Sequence, residues 1–149
     1  MMIEIKEFNK TNQLTSTEKH KIASFLHEHL GQYGDPVSAI EKAIDYSLGL
    51  NSIGGNVFVC TNNSEIIGAV VINKTGMNEY IPANILVYIA VHKDYRGKGI
   101  GKDLLKIVIE SVEGDIALHV EGDNPAKKLY ESLGFTNKYL EMRLTKGVK

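Results

Sequence analysis

The stretch YRGKGIGKDLL, Tyr95–Leu105, decides how this chain is read. Glycines at 97, 99 and 101 remove side chains where a turn runs into a helix, and Arg96, Lys98 and Lys102 surround the same bend with positive charge. Bare backbone, a helix N-terminus and cations together suit an anion, a phosphate above all. From Lys93 to Lys106 five basic residues stand against two acidic ones, a local excess of +3 in a chain whose formal net charge is −1. The charge belongs to one bend, and the balance as a whole gives no reason to expect nucleic acid or an anionic membrane as a partner.

Outward from that bend, ILVYIAV (Ile85–Val91) is an unbroken apolar run of the kind found in a strand covered on both faces. Leu104, Leu105, Val108 and Val112 give the helix that comes after the glycines. Upstream, VFVCT and IIGAVVIN flank an Asn-rich turn and form a hairpin, and MIEIKEF alternates as a first strand. Thr15 and Glu18 make a capping box for a helix with Ile22, Phe25, Leu26 and Leu30 at helical spacing. Its histidines, His20, His27 and His29, read as surface or edge residues; His27 and His29 diverge by about 200° around the axis and do not share a metal. Asp35 as N-cap and Pro36 at the first position start a second helix carrying Val37, Ile40, Ile44 and Leu48 on one face. Downstream, IALHV (116–120) is a strand, and NPAKKLYESLGF (124–135) is a helix capped by Asn124, entered through Pro125 and stopped at Gly134. YLEMRLT (139–145) is the last predicted strand. The order predicts a mixed α/β (α+β) fold, with helices on both faces of a mixed sheet, and 149 residues suit one domain spanning 1–149.

One cysteine, Cys60, excludes an internal disulfide, fits a reducing compartment, and sits in a strand as a small core residue. MMIEIKEF lacks the apolar run of a signal peptide, and IIGAVVI (66–72) falls far short of the ~20 residues that cross a bilayer. A soluble, cytoplasmic protein is expected. No His, Cys and carboxylate cluster has ligand spacing, so no metal is expected.

Three readings of the glycine segment fail on its letters. A P-loop needs glycine where Arg96 stands and Ser or Thr where Asp103 stands. The dinucleotide pattern G-x-G-x-x-G ends on Lys102 from Gly97 and on Leu104 from Gly99. A plain turn with solvated lysines accounts for one glycine, not for three at alternate positions.

The segment IAVHKDYRGKGIG (89–101) closely resembles the acyl-CoA signature [RQ]-x-x-G-x-[GA] of the GNAT (Gcn5-related) N-acetyltransferases. Arg96, Gly99 and Gly101 fill it, with Gly97 and Ile100 as common fillers. About 25 residues on, Asn124, Ala126, Tyr130 and Gly134-Phe135 resemble the family's second signature, and Gly68 after NNSEII also fits. The likeness covers roughly residues 56 to 145; the first 55 match only in element order. It implies a central, mostly antiparallel twisted sheet of about six to seven strands flanked by about four helices. It also implies acetyl-CoA as cosubstrate and direct attack by a primary amine, on a small molecule, a protein N-terminus or a lysine. A homodimer is compatible with it.

The resemblance assigns roles residue by residue. Amides from Gly97 through Lys98, Gly99, Ile100 and Gly101 to Lys102 would face the pyrophosphate, with full charges from Arg96 and Lys98. Backbone groups of Ile89, Ala90 and Val91 would hold the pantetheine arm, Asn124 would contact the same arm, and Lys127 would reach a phosphate. Tyr130 takes the position that protonates the coenzyme A sulfur; its plainer reading is a packed helix tyrosine. Many relatives keep a glutamate base on the central strand, but ILVYIAV holds no carboxylate and only Tyr88 is polar there. His119, five residues before Asn124, stands at a spacing where the branch that acetylates protein N-termini often has a glutamate. An imidazole suits base chemistry at neutral pH, so His119 is the candidate general base. As a strand residue it would share a face with Glu121, which with Glu79 is held in reserve; Glu79 would alternatively bind the amine. His92 is given no role. The competing class is a non-catalytic acyl-CoA-binding or sensing module on the same fold.

Overall fold

The computed structural model describes residues 2–147, which divide into two compact units, one reaching Leu118 and the other starting at His119. The first holds a five-stranded sheet in the order β1-β2-β3-β4-β5: β1 (Ile3–Phe8), β2 (Gly55–Asn62), β3 (Glu65–Lys74), β4 (Asn84–Val91) and β5 (Ile116–Leu118). The first four strands pair antiparallel and β4–β5 is parallel, so the sheet is mixed, as expected. Three helices belong to this unit, α1 (Ser16–Leu30), α2 (Val37–Ser47) and α3 (Ile100–Ser111); α4 (Ala126–Ser132) belongs to the second.

Side-chain chemistry explains the local choices. Thr15 Oγ1 accepts the Glu18 amide at 3.1 Å while Glu18 accepts the Thr15 amide at 2.9 Å, closing the capping box of α1. The β2–β3 hairpin turns on Asn63 and Ser64, both with positive φ, the signature of a two-residue turn that matches strand twist. α1 and α2 cover one face of the sheet, where Ile22, Leu26, Ile40 and Ile44 pack with Val57, Val59, Val71, Tyr88 and Ala90. On α3, Leu104, Leu105 and Val108 are fully buried, and a Cβ built at Gly68 would lie 2.7 Å from Leu104 Cδ1. Glycine at 68 therefore lets the first turn of α3 sit down on β3. Cys60 is buried, and burial, then the charge of Asp103, push its thiol up, which fits its expected place in the core.

Several expectations are corrected. Among the described residues there are five strands rather than six or seven, and YLEMRLT forms none: Tyr139, Leu140, Met142 and Leu144 are 77–92% exposed. IALHV is a strand only through Leu118, where pairing with β4 stops, so His119 and Glu121 are not strand neighbours. α2 starts one residue late, at Val37 with Pro36 as N-cap, because the Asp35 carboxylate accepts the Tyr88 hydroxyl at 2.5 Å instead of capping the helix. α4 likewise starts at Ala126, after Pro125. His29 is buried, contrary to its reading as a surface or edge residue: it stands seven positions after Ile22, on the helix's apolar stripe. Among the described residues no helix is long and apolar enough to cross a membrane.

Candidate functional site

β4 carries one irregularity in its pairing with β3. Its register against β3 skips at Val87, between the pairs Ile72–Leu86 and Val71–Tyr88, which marks a bulge. The parallel partner β5 reaches only to Leu86, so β4 runs on through Ile89, Ala90 and Val91 past the end of that pairing. The chain then makes a 3₁₀ turn at Lys93–Tyr95, crosses Arg96 to Gly99 and enters α3.

Two of the three glycines are needed for their backbone. Gly97 and Gly99 have φ of +77° and +83°, in the left-handed region, and a Cβ built on either meets nothing within 4 Å. Conformation, not crowding, asks for glycine here. Gly99 is the N-cap of α3 and supplies no side-chain cap; the first backbone bond across the turn is Asp103 N–H to Gly99 O at 3.0 Å. The amides from Gly99 to Lys102 thus precede the helical ladder, and they sit at the positive end of a twelve-residue helix.

The cations divide into two kinds. Arg96 acts as a strut: its Nε donates to Val91 O at 3.1 Å and one Nη to His29 O at 2.6 Å, tying the loop to the ends of β4 and α1. That use also engages the Val91 carbonyl, one of the groups expected to face a ligand arm. Lys98 lies over the Tyr95 ring, 5.4 Å from its centroid, and the Tyr95 hydroxyl accepts Asn62 Nδ2 at 3.1 Å. Lys102 is exposed. The first unit therefore brings together Ile89 to Val91 and Arg96 to Lys102. Glu79 is not among them: it lies exposed in the loop before β4, with φ of +69°, at the far end of a strand about 23 Å long.

In the second unit, His119 and Glu121 are exposed. Asn124 is drawn into a turn by its amide, which donates to Glu121 O at 3.0 Å, and its Oδ1 accepts the Ala126 amide at 2.9 Å. Lys127 is half-buried. Tyr130 is 7% exposed, its ring meets Phe135 edge-on with centroids 5.9 Å apart, and burial raises its pKa to about 12. Gly134 (φ +101°) turns the chain out of α4, and Phe135 N–H donates back to Tyr130 O at 3.1 Å.

Sequence reasoning missed two clusters. Tyr88, from β4, donates to Asp35; its pKa is raised by burial first, then by the hydrogen bond and charge of Asp35, so the phenol stays protonated and pins the α1–α2 connection. This contact spans 53 residues and leaves no local signal. The second is the pair His29 and His92, with ring centroids 4.3 Å apart, behind the glycine loop. The helical position of His29 was the available clue. Among the described residues no group of three or more His, Cys, Asp and Glu is placed to hold a metal ion.

Comparison with known proteins agrees with this layout. Residues 54–137 match a family model described as an acetyltransferase (GNAT) domain. No curated protein matches the chain. Among solved structures, the ribosomal-protein-S18-alanine N-acetyltransferase of Escherichia coli superposes with a TM-score of 0.69 at 22% identity, covering 93% of this chain and 80% of that one. A chain of the NatC complex bound to Gag peptide and CoA gives 0.72 at 22% identity, covering 93% and 87%. An aminoglycoside N-acetyltransferase in complex with CoA gives 0.68 at 18% identity, covering 97% and 95%. At these identities the likeness is one of fold.

Proposed function

The chain belongs to the GNAT acetyltransferase family, and on that premise we propose that it transfers an acetyl group from acetyl-CoA to a primary amine by direct attack. The single observation that carries the proposal is the β4–α3 turn, where two left-handed glycines present the amides of Gly99 to Lys102 at the start of a helix. The residues fit the cosubstrate. These amides and Lys98 and Lys102 would hold the pyrophosphate, and the edge of β4 from Ile89 to Val91 would hold the pantetheine arm. Arg96 contributes chiefly by fixing the loop, since two of its donors are engaged by backbone carbonyls. Asn124 would offer its Nδ2 to the arm, its Oδ1 being used on Ala126.

In the reaction the ammonium's extra proton must leave first; the neutral amine nitrogen then bonds to the thioester carbon, the carbon–sulfur bond breaks, and the thiolate gains a proton, balanced by the second proton the nitrogen sheds as it becomes an amide. Tyr130 is assigned the protonation of the thiolate on its motif position. Its raised pKa keeps it a hydrogen-bond donor throughout the physiological range. His119 is assigned the first task, with Glu121 and Glu79 in reserve; its exposure leaves the ring accessible to an acceptor. The acceptor class is a primary amine of a small molecule, a protein N-terminus or a lysine.

One observation favours the second reading, a non-catalytic acyl-CoA-binding module. The central strand holds no carboxylate, and its polar side chains Asn84 and Tyr88 are already engaged, with the carbonyls of Glu113 and Asp115 and with Asp35. Thiol release from acetyl-CoA over a panel of amino acids, polyamines, aminoglycosides and peptide N-termini separates the two. Acceptor-dependent release supports the enzyme. Acetyl-CoA binding without release by any acceptor supports the module.

A further inference from the structure

The two histidines behind the glycine loop are held by the same kind of bond. Lys93 N–H donates to His29 Nδ1 at 3.3 Å, and Asp94 N–H donates to His92 Nδ1 at 3.1 Å. A backbone amide only donates, so both Nδ1 atoms carry lone pairs and each neutral ring keeps its proton on Nε2. Lys93 and Asp94 are the first two residues of the 3₁₀ turn that runs into Arg96 and Gly97. His29 is tied to the loop a second time, through its carbonyl and the Arg96 guanidinium. Two of the loop's ties, from Lys93 to His29 and from Asp94 to His92, therefore use acceptors that acid removes, while the Arg96 bonds to the carbonyls of His29 and Val91 do not titrate.

We propose that His29 and His92 are positioning residues, a proton-sensitive clasp that holds the glycine loop in its ligand-binding shape and releases it as the rings protonate. The inference rests on the reading of that loop as the acyl-CoA site. A proton on Nδ1 of either ring sets donor against donor and breaks the bond to the turn. With ring centroids 4.3 Å apart, two imidazolium ions also repel each other. The surrounding charges tilt the balance. Lys93 and Arg96 on the loop, and Lys21 of α1 along the same groove of about 410 Å³, add positive charge, and His20 in that groove faces Glu41 at 3.4 Å. Against them stand Glu28, 3.6 Å from His29 Nε2 but largely exposed, and Asp94, 3.9 Å from His92 Nδ1. Burial, then the charge of His92, lowers the pKa of His29, so this group adds stability above the ordinary imidazole range and the contribution is lost as pH falls through it.

Asparagine places Oδ1 where Nδ1 stands and does not titrate, so the double variant H29N/H92N keeps both acceptors at every pH. Acetyl-CoA is titrated calorimetrically into wild type and variant at about pH 8 and about pH 5.5; the ligand's own phosphate ionisation is common to both proteins. The wild-type Kd should rise at least about tenfold more than the variant's over that interval. Equal rises overturn the proposal. Should the variant fail to fold, nitrogen-15 spectra of the wild-type rings without ligand decide. Unprotonated Nδ1 in both rings at about pH 8, with the Lys93 and Asp94 amides titrating along with the rings, supports the clasp. A protonated Nδ1 at that pH, or amides that ignore the ring titration, overturns it. If acetyl-CoA binds wild type at no pH, the functional reading falls while the ring and amide spectra still decide the clasp.

Discussion

Helices α3 and α4 each begin at one of the two signature motifs, and their first turns are finished in opposite ways. At α3 the cap is Gly99, a residue with nothing to offer but backbone, and the amides up to Lys102 are left ahead of the helical ladder. At α4 the side chain of Asn124 reaches forward to the Ala126 amide and its carbonyl takes the Lys127 amide at 3.1 Å. One start is open to an outside anion; the other is closed by its own chain, and Tyr130, four residues beyond Ala126, is buried against Phe135. The α2 start also lacks a side-chain cap, but it comes after Pro36 and has neither left-handed glycines nor basic residues in its first turn. A bare helix start is therefore not the signal; bareness, left-handed glycine and cations together are. The contrast teaches that damage at α3 should appear in cosubstrate affinity, and damage around α4 in chemistry.

The sharpest test of that division is Tyr130→Phe. Removing one proton donor should lower kcat by about 10²–10⁴ while acetyl-CoA affinity stays within a few fold, measured by steady-state kinetics and calorimetry on the same preparation. The working form is the protonated phenol, so a pKa raised to about 12 moves its loss to high pH. kcat should consequently stay level through about pH 10, where an ordinary tyrosine would already be losing its proton. A variant that loses affinity and turnover together would erase the division between the two helix starts.

His119→Gln ranks next. It keeps polarity and similar volume but removes a base, and should cost about 10²-fold in kcat/KM and flatten the rising limb of its pH profile, with acetyl-CoA protection against heat unchanged. A limb that survives in the variant would hand the role to Glu121, Glu79 or ionisation of the acceptor itself.

The difference between the two regions also marks how much the sequence could tell. The alternation of β1, the apolar run of β4 and the capping box of α1 are local patterns whose physics is local, and they became the expected elements. The glycine turn was legible for the same reason, since a left-handed residue announces itself as glycine. YLEMRLT alternates just as well, yet it forms no strand, because alternation states which face can be buried and not whether a sheet edge is available. IALHV stopped at Leu118 on the same account. The bulge at Val87 and the Tyr88–Asp35 bond depend on partners far away in sequence. His29 was a misreading of a visible signal: Ile22, Phe25, Leu26 and His29 are one stripe.

A gentler strain on the α3 start is Gly99→Ala, set against Asn124→Ala at α4. A Cβ at 99 meets nothing, so the variant folds, but a left-handed alanine costs about 1–2 kcal/mol. The loop relaxes, the ligand must restore it, and acetyl-CoA affinity should fall about 5- to 30-fold. Asn124→Ala removes the side-chain acceptor of the Ala126 amide and should lower stability by about 1 kcal/mol in thermal unfolding, with a smaller loss of affinity. Equal effects on affinity would mean that the two starts do the same work.

The smallest effect expected is that of Lys98→Ala and Lys102→Ala, and its salt dependence says how the α3 start works. Lys98 rests over the Tyr95 ring and Lys102 is exposed, so neither charge is held rigidly by a carboxylate partner and each should be worth only a few fold in acetyl-CoA affinity. The contribution of an exposed charge is screened within about 3 Å at 1 M salt. Wild type and the double lysine variant should therefore differ by up to about tenfold at low ionic strength and converge at about 1 M. The deficit of Gly99→Ala, which comes from backbone geometry, should persist unchanged at that salt. Convergence of the lysine variant alone assigns the core of the site to the amides and leaves the lysines as an electrostatic supplement. A lysine deficit that survives high salt would instead make the ammonium groups fixed contacts, and the loop's backbone would no longer be the principal reason for the affinity.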